Sequence, residues 1–266
     1  MDKLSLVREF WNETPCDGQA TYALRAQFRY RKEPWLLPFL DRVAATCQCI
    51  LEVGCGQGTD GVTLSQRMRP GSQYIGVDMS EVSLARARAA AQEVRDSLRV
   101  TPAFRLENAE QLSFADNSFE CVLSVGALHH SQETERAIAE VRRVLVPGGT
   151  AFVFLYRTMA PKVFVAHALR AMQRCLDLVL RTDRAIYRVL RRLKIGDRAG
   201  TAIYECFGVP ILRSYSHRSM RALFRDFSAL KLSSHGSGLP LPTMNRRFDR
   251  LASNPLGYLW LAEAVK

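Results

Sequence analysis

Gly54, Gly56 and Gly58 stand at alternate positions in LEVGCGQG, residues 51–58, directly after an apolar run that ends at Val53. Glycine tolerates positive φ and leaves no Cβ between backbone and ligand, so such a loop can cradle a nucleotide-like group. In open α/β sheets this loop lies at the carboxyl end of the first strand, where ligands bind. Asp78 ends the next apolar run, QYIGVD, 24 residues after Gly54. A carboxylate placed there can accept both hydroxyls of a ribose. The glycine loop and Asp78 together read as a nucleoside site. GQGTDG, residues 56–61, also matches the G-x-G-x-x-G of dinucleotide sites, but the match begins three residues past the strand end. An NAD-dependent oxidoreductase is therefore a competing reading of this loop.

A second constellation is His129-His130, which follows the apolar run FECVLSVGAL. Histidine is the only side chain whose unperturbed pKa lies near neutrality, so either ring is a candidate general base. Loop packing without any proton-transfer role also accounts for such a pair. Tyr22, Tyr30, Tyr156, Tyr204 and Tyr215 are read as packing residues, and His217 and His235 are given no role.

Short apolar runs alternate with helical patterns between residues 48 and 156. CILEVG, QYIGVDM, VTPAFRLENA, FECVLSVGAL and TAFVFLY read as strands, the third entering a loop; GVTLSQRM, SEVSLARARAAAQEVRDS and SQETERAIAEVRRVL read as helices. Ser80 is the expected N-cap of the second helix, with Ser83 as its competitor, and Ser131 that of the third. SALKLSSHGSG and GYLWLAEAVK read as two final strands. This alternation predicts a Rossmann-like, doubly wound α/β fold: a seven-stranded, mostly parallel sheet with helices on both faces. Before it, residues 1–45 predict a cap of two helices, broken at Pro34 and Pro38.

LEVGCGQG, GVDMS, NAEQLSFADNSFECVLSVGALHH and RVLVPGG, in that order and spacing, resemble the class I S-adenosylmethionine-dependent methyltransferases. The resemblance is firm over about residues 48–156 and is strongest to the group that includes quinone and sterol C-methyltransferases and natural-product methyltransferases. It implies that S-adenosylmethionine lies over the glycine loop. Glu52, Gly54, Cys55, Gly56 and Gly58 would line its methionine end. Asp78 would hold the ribose, Met79 would flank the adenine, and Asn108 and Ala109 would meet the adenine edge. Asn108 stands where the family often has Asp, and its amide can still hydrogen-bond there. Ser124, Val125 and Gly126 would face the amino-acid end, with Leu128 to His130 bordering the acceptor. His130 and His129 are then the candidate catalytic bases.

The chain has 266 residues, 47% of them hydrophobic, and a net charge of +11. No apolar run approaches the roughly 18–20 residues of a membrane-spanning helix, and no secretory signal is evident, so a cytoplasmic location is expected. Seven cysteines without a CxxC pair predict free thiols and no metal site. Residues 157–198 hold 11 Lys and Arg against 3 Asp. Arg170, Arg174, Asp177, Arg181, Arg184, Arg188 and Arg191 step by three and four, which on one continuous helix makes a polar stripe backed by Leu169, Met172, Leu176, Val179, Ile186, Val189, Leu190 and Leu193. That apolar side is expected to pack on the core. The same basic segment suits peripheral membrane or acidic-substrate contact, and RNA less well, for want of a base-stacking module.

The organisation expected is an N-terminal helical cap (1–45), an S-adenosylmethionine-binding core (46–156), a basic helical cap insertion (157–214) and completion of the sheet (215–266). The aromatic cap favours a small-molecule or lipid-like methyl acceptor. Two further functions fit the same core: an RNA or protein methyltransferase, and a non-catalytic scaffold that binds a membrane or partner.

Overall fold

The computed structural model describes residues 3–15, 19–193, 206–236 and 253–266. Cys16 and Tyr204 lie outside the described residues.

Three helices come first: α1 (Lys3–Glu13), α2 (Tyr22–Lys32) and α3 (Leu36–Thr46). The sequence predicts two. Pro34 does break the chain, but Pro38 sits at the third position of α3. First-turn N–H groups have no partner inside a helix, so a proline there costs no hydrogen bond. Leu36, Leu40 and Val43 are fully buried, so α3 belongs to the sheet's own packing.

The core elements follow as β1 (Cys49–Val53), α4 (Thr59–Ser65), β2 (Gln73–Asp78), α5 (Glu81–Glu93), β3 (Ala103–Leu106), β4 (Phe119–Val125), α6 (Thr134–Val144) and β5 (Leu145–Tyr156). The helices α7 (Pro161–Leu180) and α8 (Ala185–Arg192) come next. α9 (His217–Leu223), β6 (Ala229–His235) and β7 (Leu259–Val265) complete the described chain. The strands form one sheet in the order β3-β2-β1-β4-β5-β7-β6, in which β7 alone runs opposite to the other six. The expected doubly wound, seven-stranded architecture is therefore what the chain adopts.

Side chains alternate between the two faces of a strand. Ile50, Cys121, Leu123, Phe152 and Phe154 pack under α3, α4 and α5. Leu51, Val122, Val153 and Leu155 pack under α6 and α9 on the opposite face. Both faces are covered, which is why these strands read as unbroken apolar runs. The chain passes from β3 across β1 to β4, so strand order reverses between β1 and β4. A crevice opens at such a switch point, outside the carboxyl ends of the strands.

Of the two expected caps, one holds and one does not. Ser80 caps α5, accepting from the Ser83 N–H at 3.1 Å. Ser131, however, does not cap α6; Glu133 holds that position. The Ser131 N–H closes a 3-10 turn over Leu128–His130 at 3.1 Å, which sets the start of α6 two residues later.

The basic segment is not one helix. Arg181 and Arg184 adopt left-handed backbone at φ 49° and 52°. Between them the chain turns, and the Asp177 carboxylate reaches the start of α8, accepting from the N–H groups of Arg184 at 2.9 Å and Ala185 at 2.8 Å. The side chain that would continue the stripe is the one that ends it. Leu169, Ile186 and Leu190 pack around Phe10 and Tyr187. Met172, Leu176, Val179, Val189 and Leu193 are exposed rather than packed on the core. No described helix is long and apolar enough to cross a membrane.

Candidate active site

β1 ends at Val53 and the chain turns into the glycine loop. The N–H groups of Gly54 and Cys55 both donate to the Val77 carbonyl, at 2.8 and 3.0 Å, which ties the loop to β2. Gly54, Gly56 and Gly58 all have positive φ, at 79°, 52° and 72°. Their surroundings differ. A Cβ on Gly54 would lie 2.1 Å from the Ala127 Cβ, and one on Gly58 2.8 Å from the Ala87 Cβ. A Cβ on Gly56 would meet nothing within 4 Å. Packing thus demands Gly54 and Gly58, whereas Gly56 faces open space. Gly61, the last glycine of the dinucleotide-like match, would put a Cβ 2.0 Å from the Tyr74 hydroxyl. It makes room for a side chain, not for a phosphate.

These distances set an expected contrast. Gly54→Ala adds a steric clash to left-handed strain and destabilises the fold by about 3 kcal/mol or more. Gly56→Ala carries the strain alone, about 1–2 kcal/mol. Urea unfolding of the two variants checks the order, and equal losses would refute this division of roles.

Glu52, Gly54, Cys55, Gly56, Asp78, Met79, Asn108, Ala109, Val125, Gly126 and His130 border one cavity at the switch point. It encloses about 1100 Å³ of space, its open mouth included. Gly58, Ser124 and His129 do not border it. Gly58 sits under α5. Ser124 is fully buried and its hydroxyl has no partner. His129 is fully buried, stacked on Tyr156 at 3.8 Å, with neither ring nitrogen hydrogen-bonded. Burial, and then the neighbouring His130, hold its pKa well below the usual value, so the ring is neutral. That is the environment of a packing residue.

His130 is placed differently. Its Nδ1 lies 2.7 Å from the Ile211 carbonyl oxygen. A carbonyl only accepts, so Nδ1 carries the proton and the neutral ring keeps its basic lone pair on Nε2. The Trp11 ring stands 5.2 Å from it. Trp11 belongs to α1, whose Leu4 and Val7 also border the cavity. The Ser80 hydroxyl donates to Asn12 Oδ1 at 2.7 Å and holds α1 over the carboxyl ends of the strands.

The cavity is strongly acidic. Glu52, Asp60, Asp78, Glu107 and Glu110 border it, with Arg29 the single guanidinium among the described residues. Asp78 accepts from the Gly56 N–H and the Ser80 N–H, both at 2.9 Å. Burial raises its pKa, and those backbone donors oppose the rise. Glu52 accepts from the Tyr74 hydroxyl. Burial first, and then the charge of Asp60, push its pKa up to about 8. Arg29 and Asp60 pair through Nε and Oδ1 at 2.7 Å, and the Tyr30 hydroxyl donates to the same oxygen at 3.0 Å.

Sequence reasoning missed this pair. Asp60 lies inside GQGTDG, but nothing in the sequence ties Arg29 to it. The charge balance repels a dinucleotide's diphosphate and suits a ligand with positive charge beside a nucleoside. S-adenosylmethionine, with a sulfonium, an ammonium and a ribose, has that character. Among the described residues no group of three or more His, Cys, Asp or Glu is placed to hold a metal.

Comparison with known proteins agrees with that character. Residues 51–153 match the methyltransferase domain family. A demethylmenaquinone methyltransferase of Symbiobacterium thermophilum is 35% identical over 102 residues, 38% of this chain and 39% of that protein. A phthiotriol/phenolphthiotriol dimycocerosates methyltransferase of Mycobacterium tuberculosis is 35% identical over 117 residues, 44% of this chain and 40% of that protein. The chain spans less than half the length of these curated relatives. A solved S-adenosylmethionine-dependent methyltransferase from Thermotoga maritima shares the fold, with a TM-score of 0.58 over 98% of this chain and 99% of that one, at 18% identity.

Proposed function

We propose that this chain, which carries a class I S-adenosylmethionine-dependent methyltransferase domain, methylates a small organic or lipid-like acceptor. The observation that carries the reading is the acidic, glycine-floored cavity at the switch point, walled on its acceptor side by Leu4, Val7, Trp11 and Leu128. The names of two relatives, one a quinone and one a lipid methyltransferase, point to the same acceptor class.

S-adenosylmethionine, when bound, supplies a methyl group on a positively charged sulfur. Glu52 and the backbone from Gly54 to Gly56 would border its methionine end. Asp78 would take the ribose hydroxyls, and Met79, Asn108 and Ala109 would border the adenine. The apolar wall excludes water and fixes the acceptor; such positioning can supply roughly 7–11 kcal/mol of a displacement barrier. Where the acceptor atom carries a proton, His130 Nε2 would receive it, for about a 10²–10⁴-fold gain in rate.

Asp78→Ala is expected to weaken donor binding by about 10–100-fold, the worth of a charged group paired with two hydroxyls. Asp78→Asn, which keeps one acceptor for the loop N–H, should lose less. A titration with unchanged affinity in both variants would remove Asp78 from the site. The acceptor is tested by transfer of labelled methyl into a fractionated host extract, with Asp78→Ala as control. Label in an organic-soluble or small-molecule fraction supports the reading, and label in RNA or protein overturns it.

A further inference from the structure

A second cavity lies behind the first, and its charge is opposite. We infer that it binds a phosphate-class anion, carried by the methyl acceptor, between α7 and the segment 210–213. The cavity encloses about 950 Å³ of space, its mouth included. Lys3, Arg170, Arg174 and Arg213 bring four cations to its wall, with Gln132 and His167 between them, and among the described residues no carboxylate borders it.

The cations come from three places in the sequence. Arg170 and Arg174 share one face of α7, a turn apart. Arg213 is held by donating to the Gln132 carbonyl, and its other nitrogen lies 3.7 Å from the exposed Glu135 carboxylate. Lys3 arrives from the first turn of α1. Arg170 donates to the Val209 carbonyl at 2.9 Å, which fixes its guanidinium in the wall. Among the described residues neither Lys3 nor Arg174 has an acidic partner. Four like charges around one cavity repel each other, and an oxyanion with two or more negative charges relieves all of them at once.

The two cavities share a thin partition. Leu4 borders the first and Lys3 the second; Ser131 borders the first and Gln132 the second. His130, on the first, is hydrogen-bonded to Ile211, on the second. A molecule with its reacting atom beside His130 therefore needs only a short span to place a phosphate group among the cations. Calling that molecule the acceptor rests on the methyltransferase reading; the anion site itself does not. Phosphate on a lipid headgroup and phosphate on a soluble metabolite share this chemistry. Phe164, Met172, Leu176 and Val179 stand exposed on the adjoining face of α7, where a lipid surface would meet them.

The test titrates the whole protein at low salt with inorganic phosphate and with inorganic pyrophosphate, by calorimetry. The wild type should bind pyrophosphate more tightly than phosphate. Lys3→Gln with Arg174→Gln, two exposed positions, should weaken pyrophosphate binding at least about tenfold and leave S-adenosylmethionine binding unchanged. Absence of binding to either anion, or unchanged binding in the double variant, overturns the site. Pyrophosphate binding without S-adenosylmethionine binding would keep the anion site and overturn the methyltransferase reading. Sedimentation with phosphatidic acid vesicles then separates the sources. Vesicle binding that pyrophosphate competes away places the phosphate on a lipid, and pyrophosphate binding without vesicle binding places it on a soluble acceptor.

Discussion

Donor affinity rises with pH up to about 8 in the wild type and loses that dependence in Glu52→Gln. The expectation follows from the buried carboxylate at the end of β1. Burial and Asp60 hold the Glu52 pKa up to about 8 in the free protein. At neutral pH the side chain is therefore mostly protonated before the donor arrives. A cationic ligand beside it favours the ionised form. Binding then expels a proton, and below pH 8 each unit of acidity costs up to about tenfold in affinity. Between pH 6 and 8 the accumulated effect reaches up to about 100-fold. A titration series across that range checks it, and identical slopes for wild type and Glu52→Gln would remove Glu52 from contact with the donor's charge.

The same shift has the opposite consequence for the empty fold. In the unfolded chain Glu52 ionises near the ordinary glutamate value, about 4.3. Between that value and 8 the folded state holds more protons than the unfolded state, so stability falls as pH rises. Glutamine does not titrate. The stability of Glu52→Gln relative to wild type should therefore improve by about 2–4 kcal/mol from pH 4 to pH 8.

The sheet was legible because its signals are local. CILEVG, QYIGVDM and FECVLSVGAL are short, hold β-branched residues and are bounded by glycine or polar turns, and each contains a strand that ends one to three residues before the run does. The site's floor was legible for the same reason, since glycine spacing and a strand-end carboxylate are read within one βαβ unit. What escaped depends on distance in the chain. Arg29 reaches Asp60 across 31 positions, and no periodicity announces it. Lys3, Arg170 and Arg213 share a wall only because α1 and the insertion fold over the same strand ends. The apparent stripe on residues 170–191 failed where one side chain had two uses. Asp177 fits a polar helix face, yet its carboxylate satisfies backbone donors at the start of α8, and that capping ends the continuous helix.

Arg29→Ala should be the most damaging single change on the cap, lowering stability by about 3 kcal/mol and Tm by about 6–12 °C. Asp60 is 4% exposed and Arg29 23%, so the pair sits mostly out of water. Removing the guanidinium leaves a buried carboxylate with the Tyr30 hydroxyl as its remaining side-chain donor. The loss exceeds what the pair itself contributes, because an unpaired buried charge is what remains. Arg29→Met combined with Asp60→Asn removes both charges and should recover more than half of the stability. Failure of the double variant to recover would show that Arg29 acts through packing of its stem instead.

The pair also sets the proton affinity of the donor site. Asp60 raises the Glu52 pKa and Arg29 lowers it. Asp60→Asn should shift the pH profile of donor binding to lower pH, and Arg29→Ala should shift it higher. Opposite shifts from two residues of one ion pair are a signature that loss of cap packing alone cannot produce, since that would weaken binding equally at every pH.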